Sequence, residues 1–331
     1  MDIDFQDALS ETADTPRILL LGNGFSIDCY QNFSYANLLD RADFSGSPEL
    51  KKTFELLETC DFEQVIRALL NSSSVMNVMT SYGIDNGEKA KLMIADVEKA
   101  KTILLNTIKS IHPDKQASID EARYKSCRSF MSNFIGNSLV ARGEVFTLNY
   151  DLLLYWMLMS DRDSTRLLDY CDGFDREGWI YGGKNTQDQN VTYLHGAFHL
   201  MSRDGRLEKI SYKKNKTILD QISAYLDKEI YPLIVTEGKS KNKLLAINQS
   251  EYLNHAVEKI KKIKGNLFAI GISFGEENNH VWHAISKNKN IRKLYVGVHE
   301  SDQESVRRRV GVLFHMYPCK FFKIETVSIW R

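Results

Sequence analysis

The sequence predicts an α/β fold: a Rossmann-like, mostly parallel sheet with a large helical insertion after its first strand. Three observations lead there. Short apolar runs alternate with amphipathic segments toward both ends of the chain, the pattern of a parallel sheet covered by helices. Between the first two runs, from about Ser47 to Ala141, the periodicity is helical instead. Polar, small and titratable residues stand directly after several apolar runs, at the strand ends where open parallel sheets bind ligands.

Taken in order, RILLL (Arg17–Leu21) is a strand buried on both faces, followed at once by GNGFSID. DFEQVIRALL (Asp61–Leu70) opens on an acidic N-cap and sets Phe62, Val65, Ile66 and Leu69 on one helical face. Lys91–Ile111 is a second amphipathic helix, stopped at His112-Pro113, and Arg123–Ala141 is a third. Strands return with VFTLN (Val145–Asn149) and VTYLH (Val191–His195). An Asp204-Gly205 turn between apolar-rich arms reads as a β-hairpin. PLIVTEG (Pro232–Gly238), LFAIGIS (Leu267–Ser273), KLYVGVH (Lys293–His299) and KFFKIETV (Lys320–Val327) are further strands. Helices intervene near Thr217–Glu229, Ser250–Lys264, Asn278–Lys287 and Asp302–Phe314. The expected organisation is a sheet domain over 1–46 and 142–331, with a helical insertion over 47–141.

Composition bounds the function. The chain has 331 residues, 43% hydrophobic and 26% charged, enough to bury a large core without metal or disulfide support. Lys+Arg 43 balances Asp+Glu 43, which argues against a nucleic-acid coat. Residues 1–63 hold 13 acids and 4 bases, whereas 201–264 hold 14 bases and 8 acids. These are either two solvated surfaces or, in the second case, a basic rim for an anion. No apolar run reaches the length of a membrane span. The acidic start has neither a secretory nor a transit pattern, and the five scattered cysteines contain no CxxC pair. A reduced, cytoplasmic protein that does not enter membranes is expected.

The residues after the strands carry the chemistry. Gly22-Asn23-Gly24-Phe25-Ser26 follows the first, Asn149-Tyr150-Asp151 the second and His195-Gly196 the third; Thr236-Glu237-Gly238 and Gly271-Ile272-Ser273 follow later ones. Gly22 and Gly24 begin a GxGxxG pattern that would let backbone approach a pyrophosphate, or simply form a tight turn. Ile27 stands where the third glycine belongs, which weakens a hydride-transferring dehydrogenase. Asn149 could cap the following helix and His195 could be a satisfied strand-end histidine. His280 and His283 share a helical face without completing a metal site, and no cysteine has a nucleophile signature.

Together the fragments resemble the sirtuin-like superfamily. LLGNGFS is similar to its glycine-rich NAD loop, TLNYD (Thr147–Asp151) to its T-x-N-x-D motif, and YLHG (Tyr193–Gly196) to the segment with the catalytic histidine. AIGISFGEENNHVWHAI (Ala269–Ile285) resembles the late G-x-S loop of the bacterial, defence-associated branch. A nearer likeness is to a bacterial branch catalogued only as a domain of unknown function. It combines LLGNG, DFE, NYDLLLYW, DGF, YLHG and VTEG segments, here Leu20–Gly24, Asp61–Glu63, Asn149–Trp156, Asp172–Phe174, Tyr193–Gly196 and Val235–Gly238. The paired CxxC zinc ribbon of protein deacetylases is missing.

The resemblance implies an enzyme that takes NAD+ as substrate and cleaves it to nicotinamide and ADP-ribose without a metal, an NAD-depleting effector of anti-phage defence. By the same resemblance Asn149 would hold ribose hydroxyls or the attacking water and His195 would accept a proton. Gly22, Asn23, Gly24, Phe25 and Ser26 would cradle the pyrophosphate and cover the nicotinamide ribose, and Gly271 and Ser273 would contact the adenosine side. Asp28, Asp151 and Glu237 are further candidates for ordering the site. Such an activity would starve its own cell, so a homo-oligomer or an activating partner protein is expected to control it, with the insertion covering the pocket or serving as an assembly surface. A non-catalytic NAD or ADP-ribose sensor and an ADP-ribosyl transferase or cyclase are the alternatives.

Overall fold

The computed structural model describes residues 3–136, 143–158, 168–175, 180–203, 206–213, 215–228, 230–236 and 240–331. Helix α1 (Phe5–Glu11) precedes strand β1 (Arg17–Leu21), and the short α2 (Gly24–Cys29) starts almost at once after it. α3 (Tyr35–Arg41) follows, and the insertion supplies α4 (Pro48–Leu56), α5 (Phe62–Thr80), α6 (Gly87–Ile111) and α7 (Glu121–Ile135). Then come β2 (Glu144–Thr147), α8 (Leu153–Leu158), β3 (Val191–Tyr193), β4 (Gly196–Arg203), β5 (Arg206–Lys209), α9 (Ile218–Leu226) and β6 (Pro232–Ile234). The chain ends with α10 (Ser240–Asn248), α11 (Glu251–Ile260), β7 (Gly265–Ile270), α12 (Asn279–Ser286), β8 (Ile291–Val298), α13 (Gln303–Leu313) and β9 (Cys319–Lys323).

Six strands form one parallel sheet in the order β3-β2-β1-β7-β8-β9. Counting only these six in chain order, the arrangement is 3-2-1-4-5-6, that of a doubly wound, Rossmann-like sheet. β1 lies at the centre with Leu19 and Leu21 fully buried, as its unbroken apolar run requires. The chain winds outward through β2 and β3, returns across the sheet, and winds outward again through β7, β8 and β9. The switch between the two directions falls between β1 and β7.

One expected strand belongs elsewhere. PLIVTEG does not join the parallel sheet: β6 pairs antiparallel with β4, in a separate three-stranded sheet ordered β5-β4-β6. Its two-sided apolar run is explained by that pairing rather than by a central place in the main sheet. The expected hairpin is the β4–β5 pair, and its Asp204-Gly205 turn lies outside the described residues. So do Glu237, Gly238 and the end of the third predicted helix at Ala141.

The helices between β1 and β2 follow their sequence signals. The Asp61 carboxylate accepts the Glu63 amide at 2.8 Å and caps α5, whose Phe62, Val65, Ile66 and Leu69 are all buried. α6 ends at Ile111, before the Pro113 that forbids continuation. α7 packs on β1 and β2, and its Phe130 and Phe134 stack into an aromatic cluster with Phe5 and Phe268 of the sheet core. The insertion and the sheet therefore share one continuous hydrophobic core. Among the described residues, no helix is long and apolar enough to cross a membrane.

Candidate functional site

A cleft of about 570 Å³ opens along the carboxyl ends of β1, β2, β3, β7 and β8, at the topological switch point. Its wall includes Gly22, Asn23 and Gly24 after β1, Asn149 and Asp151 after β2, His195 after β3, Gly271 and Ser273 after β7, and His299 after β8. The opposite side is closed by Tyr35 and Leu38 of α3 and, from the insertion, Glu63 of α5 and Ile108 of α6. Carboxylates at Glu63, Asp151, Glu277 and Asp302 line it, and among the described residues no lysine or arginine does.

The glycine loop is built for backbone packing. A side chain at Gly22 would stand 2.4 Å from the Gly271 carbonyl oxygen, and one at Gly24 would stand 2.5 Å from the Gly271 Cα. Gly271 itself has φ +68°, in the left-handed region that favours glycine. Four of the five amides from Gly22 to Ser26 already have carbonyl partners: Gly22 with Ile270, Gly24 with Gly271, Phe25 with Gly22 and Ser26 with Asn23. The loop that follows β7 is equally constrained. Phe274 is held at φ +57° and packs on Trp282, whose indole N–H donates to the Gly275 carbonyl at 2.8 Å. This leaves Ser273 exposed on the cleft wall.

Asn149 is the tie between β2 and this loop. Its Nδ2 donates to the Gly22 carbonyl and to Ser26 Oγ, both at 2.9 Å. A carbonyl only accepts, so the amide orientation is set, and Oδ1 is the atom left to receive a hydroxyl or a water. Ser26 Oγ in turn donates to Asp151 at 2.5 Å, whose other oxygen accepts the Leu153 amide at 2.8 Å. Burial raises the Asp151 carboxyl above its ordinary range against the pull of those two hydrogen bonds. Ser26 is fully buried and supports the wall from behind without lining it.

His195 sits at the junction of the two sheets. Its carbonyl accepts the Val235 amide at 2.9 Å, and the following Gly196, at φ +75°, has no room for a side chain against the Leu233 carbonyl. Its Nε2 meets His280 Nε2 at 3.0 Å, while its other nitrogen is bonded to the Leu148 backbone. A carbonyl partner requires Nδ1–H, so Nε2 is the acceptor and His280 the donor. His280 Nδ1 then accepts from Ser240 Oγ at 3.3 Å. Burial, with the Lys243 charge second, holds the His195 imidazolium well below the usual histidine range; the same causes push His280 down to about 3. Both rings are neutral, and both His195 nitrogens are occupied.

Lys243 of α10 is completely buried and donates to Glu63 at 2.7 Å, an ion pair that joins the insertion to the histidine chain. Burial pushes the Glu63 carboxyl up to about 7, partly offset by Lys243.

Besides Ser26, two expected site residues are off the cleft wall. The Phe25 ring is buried against Trp330, centroids 5.2 Å apart, so it cannot cover a ribose. Asp28 is not on the cleft wall: it accepts from the Arg331 guanidinium at 2.7 Å and from the Trp330 amide, fastening the end of the chain. Other residues on or behind the wall had no functional sequence reading: Glu63, Lys243, Glu277, His299 and Asp302. The strand-end rule, applied also to KLYVGVH, would have found His299. Glu63 was visible only as part of a helix start.

None of the curated proteins compared with the chain matches it. A family model described as a domain of unknown function, DUF4917, matches residues 19–330. That span runs from the first strand through Trp330, taking in every wall of the cleft, and the chain belongs to the DUF4917 family.

Proposed function

We propose that the cleft binds NAD+ and hydrolyses its nicotinamide–ribose bond, releasing nicotinamide and ADP-ribose. The observation that carries this reading is the convergence of Gly22, Asn149 and His195, from three different strand ends, on one cleft at the switch point of a 3-2-1-4-5-6 sheet. The sirtuin-like motifs supply the chemistry. Nicotinamide in NAD+ is a cationic leaving group, so the site must hold the ribose, favour an oxocarbenium-like centre and admit water. Carboxylates without lysine or arginine suit that developing positive charge. The developing cation is surrounded by the carboxylates of the cleft, and the pyrophosphate lies against neutral donors such as Asn23, Ser273 and Ser305. Asn149 Oδ1 receives a ribose hydroxyl or the attacking water. Defence against phage, cytoplasmic action, and control by self-assembly or a partner protein belong to the same proposal.

Incubation of the purified protein with NAD+, with products separated by chromatography, tests it: equimolar nicotinamide and ADP-ribose are expected, and their absence under all assembly states would reject hydrolysis. The occupied nitrogens of His195 favour, as the second reading, a sensor that binds NAD+ or ADP-ribose unchanged. Saturable binding with no turnover would select it.

A further inference from the structure

Resting on the hydrolase reading, we propose that Glu63, carried into the cleft by the insertion, is the group that accepts the proton of the attacking water, while the Ser240–His280–His195 chain positions the site. Geometry separates the candidates. His195 has no nitrogen free: one bonds the Leu148 backbone, the other His280. Both Asp151 oxygens are engaged, by Ser26 and by the Leu153 amide. Glu63 lines the cleft with one oxygen on Lys243, a residue whose charge also acts on His195 and His280. The acid and the histidine chain are thus one electrostatic unit at the same end of the cleft.

The groups around Glu63 set its proton affinity. Lys243 favours the carboxylate, Asp61 and Glu277 disfavour it, and Tyr35 and Tyr150 stand close enough to feel its charge. Arg67 of the same helix shares a smaller adjoining cavity with Glu63 and Glu276. Burial outweighs Lys243, so the carboxyl titrates near 7, where a general base works best at neutral pH. In the step itself, the water oxygen bonds to C1′ of the ribose. The C1′–N bond breaks, and its electron pair neutralises the pyridinium. One water proton passes to Glu63, which becomes a neutral acid and later returns the proton to solvent.

The test measures NAD+ turnover against pH for the wild type, Glu63→Gln and Lys243→Met, with NAD+ affinity and thermal stability recorded for each. The wild type should gain activity as pH rises through about 7. Glu63→Gln should lose about 100-fold or more and lose that acidic limb, with NAD+ binding retained. Lys243→Met removes the charge that favours the carboxylate, so its limb should move about one pH unit or more upward, with activity recovered in alkali. If Glu63→Gln does not fold, the Lys243→Met shift decides. Cleavage by folded Glu63→Gln within a few-fold of wild type, or an unmoved limb in Lys243→Met, would overturn the role of Glu63 and leave the hydrolase intact. A wild type that cleaves no NAD+ at any pH would reject the hydrolase itself, and the role of Glu63 with it.

Discussion

Replacing Gly271 by alanine separates two uses of the glycines in this cleft, packing and ligand approach. The new methyl group would stand 2.7 Å from Gly24 Cα and 2.9 Å from the amide nitrogens of Gly24 and Phe25, all backbone atoms that cannot swing aside. The residue would also be forced to keep φ +68°, which costs a non-glycine residue about 1–2 kcal/mol. Overpacking adds about 1–3 kcal/mol. At roughly 2 °C per kcal/mol for a chain of this size, the melting temperature should fall on the order of 4–10 °C. Differential scanning calorimetry measures the fall, and isothermal titration with NAD+ measures binding of the fraction that remains folded. Ser273→Ala, on the exposed rim of the same loop, should change stability by no more than about 0.5 kcal/mol. A Gly271→Ala protein that melts like the wild type but fails to bind NAD+ would show that the glycine serves the ligand, and would refute the packing argument.

Asn149→Ala removes two buried hydrogen bonds, leaving the Gly22 carbonyl only the Phe25 amide, so it should cost about 1–3 kcal/mol in denaturant melts as well as abolish NAD+ cleavage; loss of cleavage with unchanged stability would contradict the tie described above. Asp28→Asn should weaken the anchoring of Arg331 by up to about 1 kcal/mol and leave NAD+ turnover at the wild-type value, and a large loss of turnover would return Asp28 to the binding site. Stability should fall as the solution is acidified from pH 6.5. His112 and His280 are both held down to about 3 in the fold, and His195 and His199 are also lowered, so each is charged more readily when unfolded. Each contributes up to about 1.4 kcal/mol per pH unit below its unfolded value. Glu63, raised to about 7, acts with the opposite sign between pH 4.5 and 7 and offsets one of the four. A flat stability profile from pH 7 to 5 would contradict this burial of neutral histidines.

Much of the architecture was legible because local chemistry and tertiary role agree. RILLL is a central strand, DFE opens a capped helix, and His112-Pro113 ends one. What the pattern could not distinguish is a strand of the parallel sheet from one of a side sheet, since PLIV is apolar in either place. The site was legible at strand ends, where Asn149 and His195 both line the cleft. It was illegible wherever a charged side chain turns inward. Lys209 and Lys243 lie in the base-rich stretch read as either a solvated surface or a basic rim for an anion, yet both are buried in pairs, Lys209 with Asp172 at 2.5 Å and Lys243 with Glu63. Such pairing links residues far apart in the chain, so no local spacing announces it. The same holds for His280, whose partner lies not on its own helix, as a metal site with His283 would need, but in the loop before β4. Glycine was ambiguous for a different reason: a turn that must admit a phosphate and one that must admit another backbone ask for the same residue.

The most direct measurement is the product analysis of NAD+ incubated with the purified wild-type protein and with Asn149→Ala, run across protein concentration so that assembly is varied. Nicotinamide and ADP-ribose should appear in equal amounts with the wild type, and with Asn149→Ala neither should. NAD+ recovered intact from the wild type at every concentration, or the same products from both proteins, would contradict the assignment of this cleft as an NAD+ hydrolase.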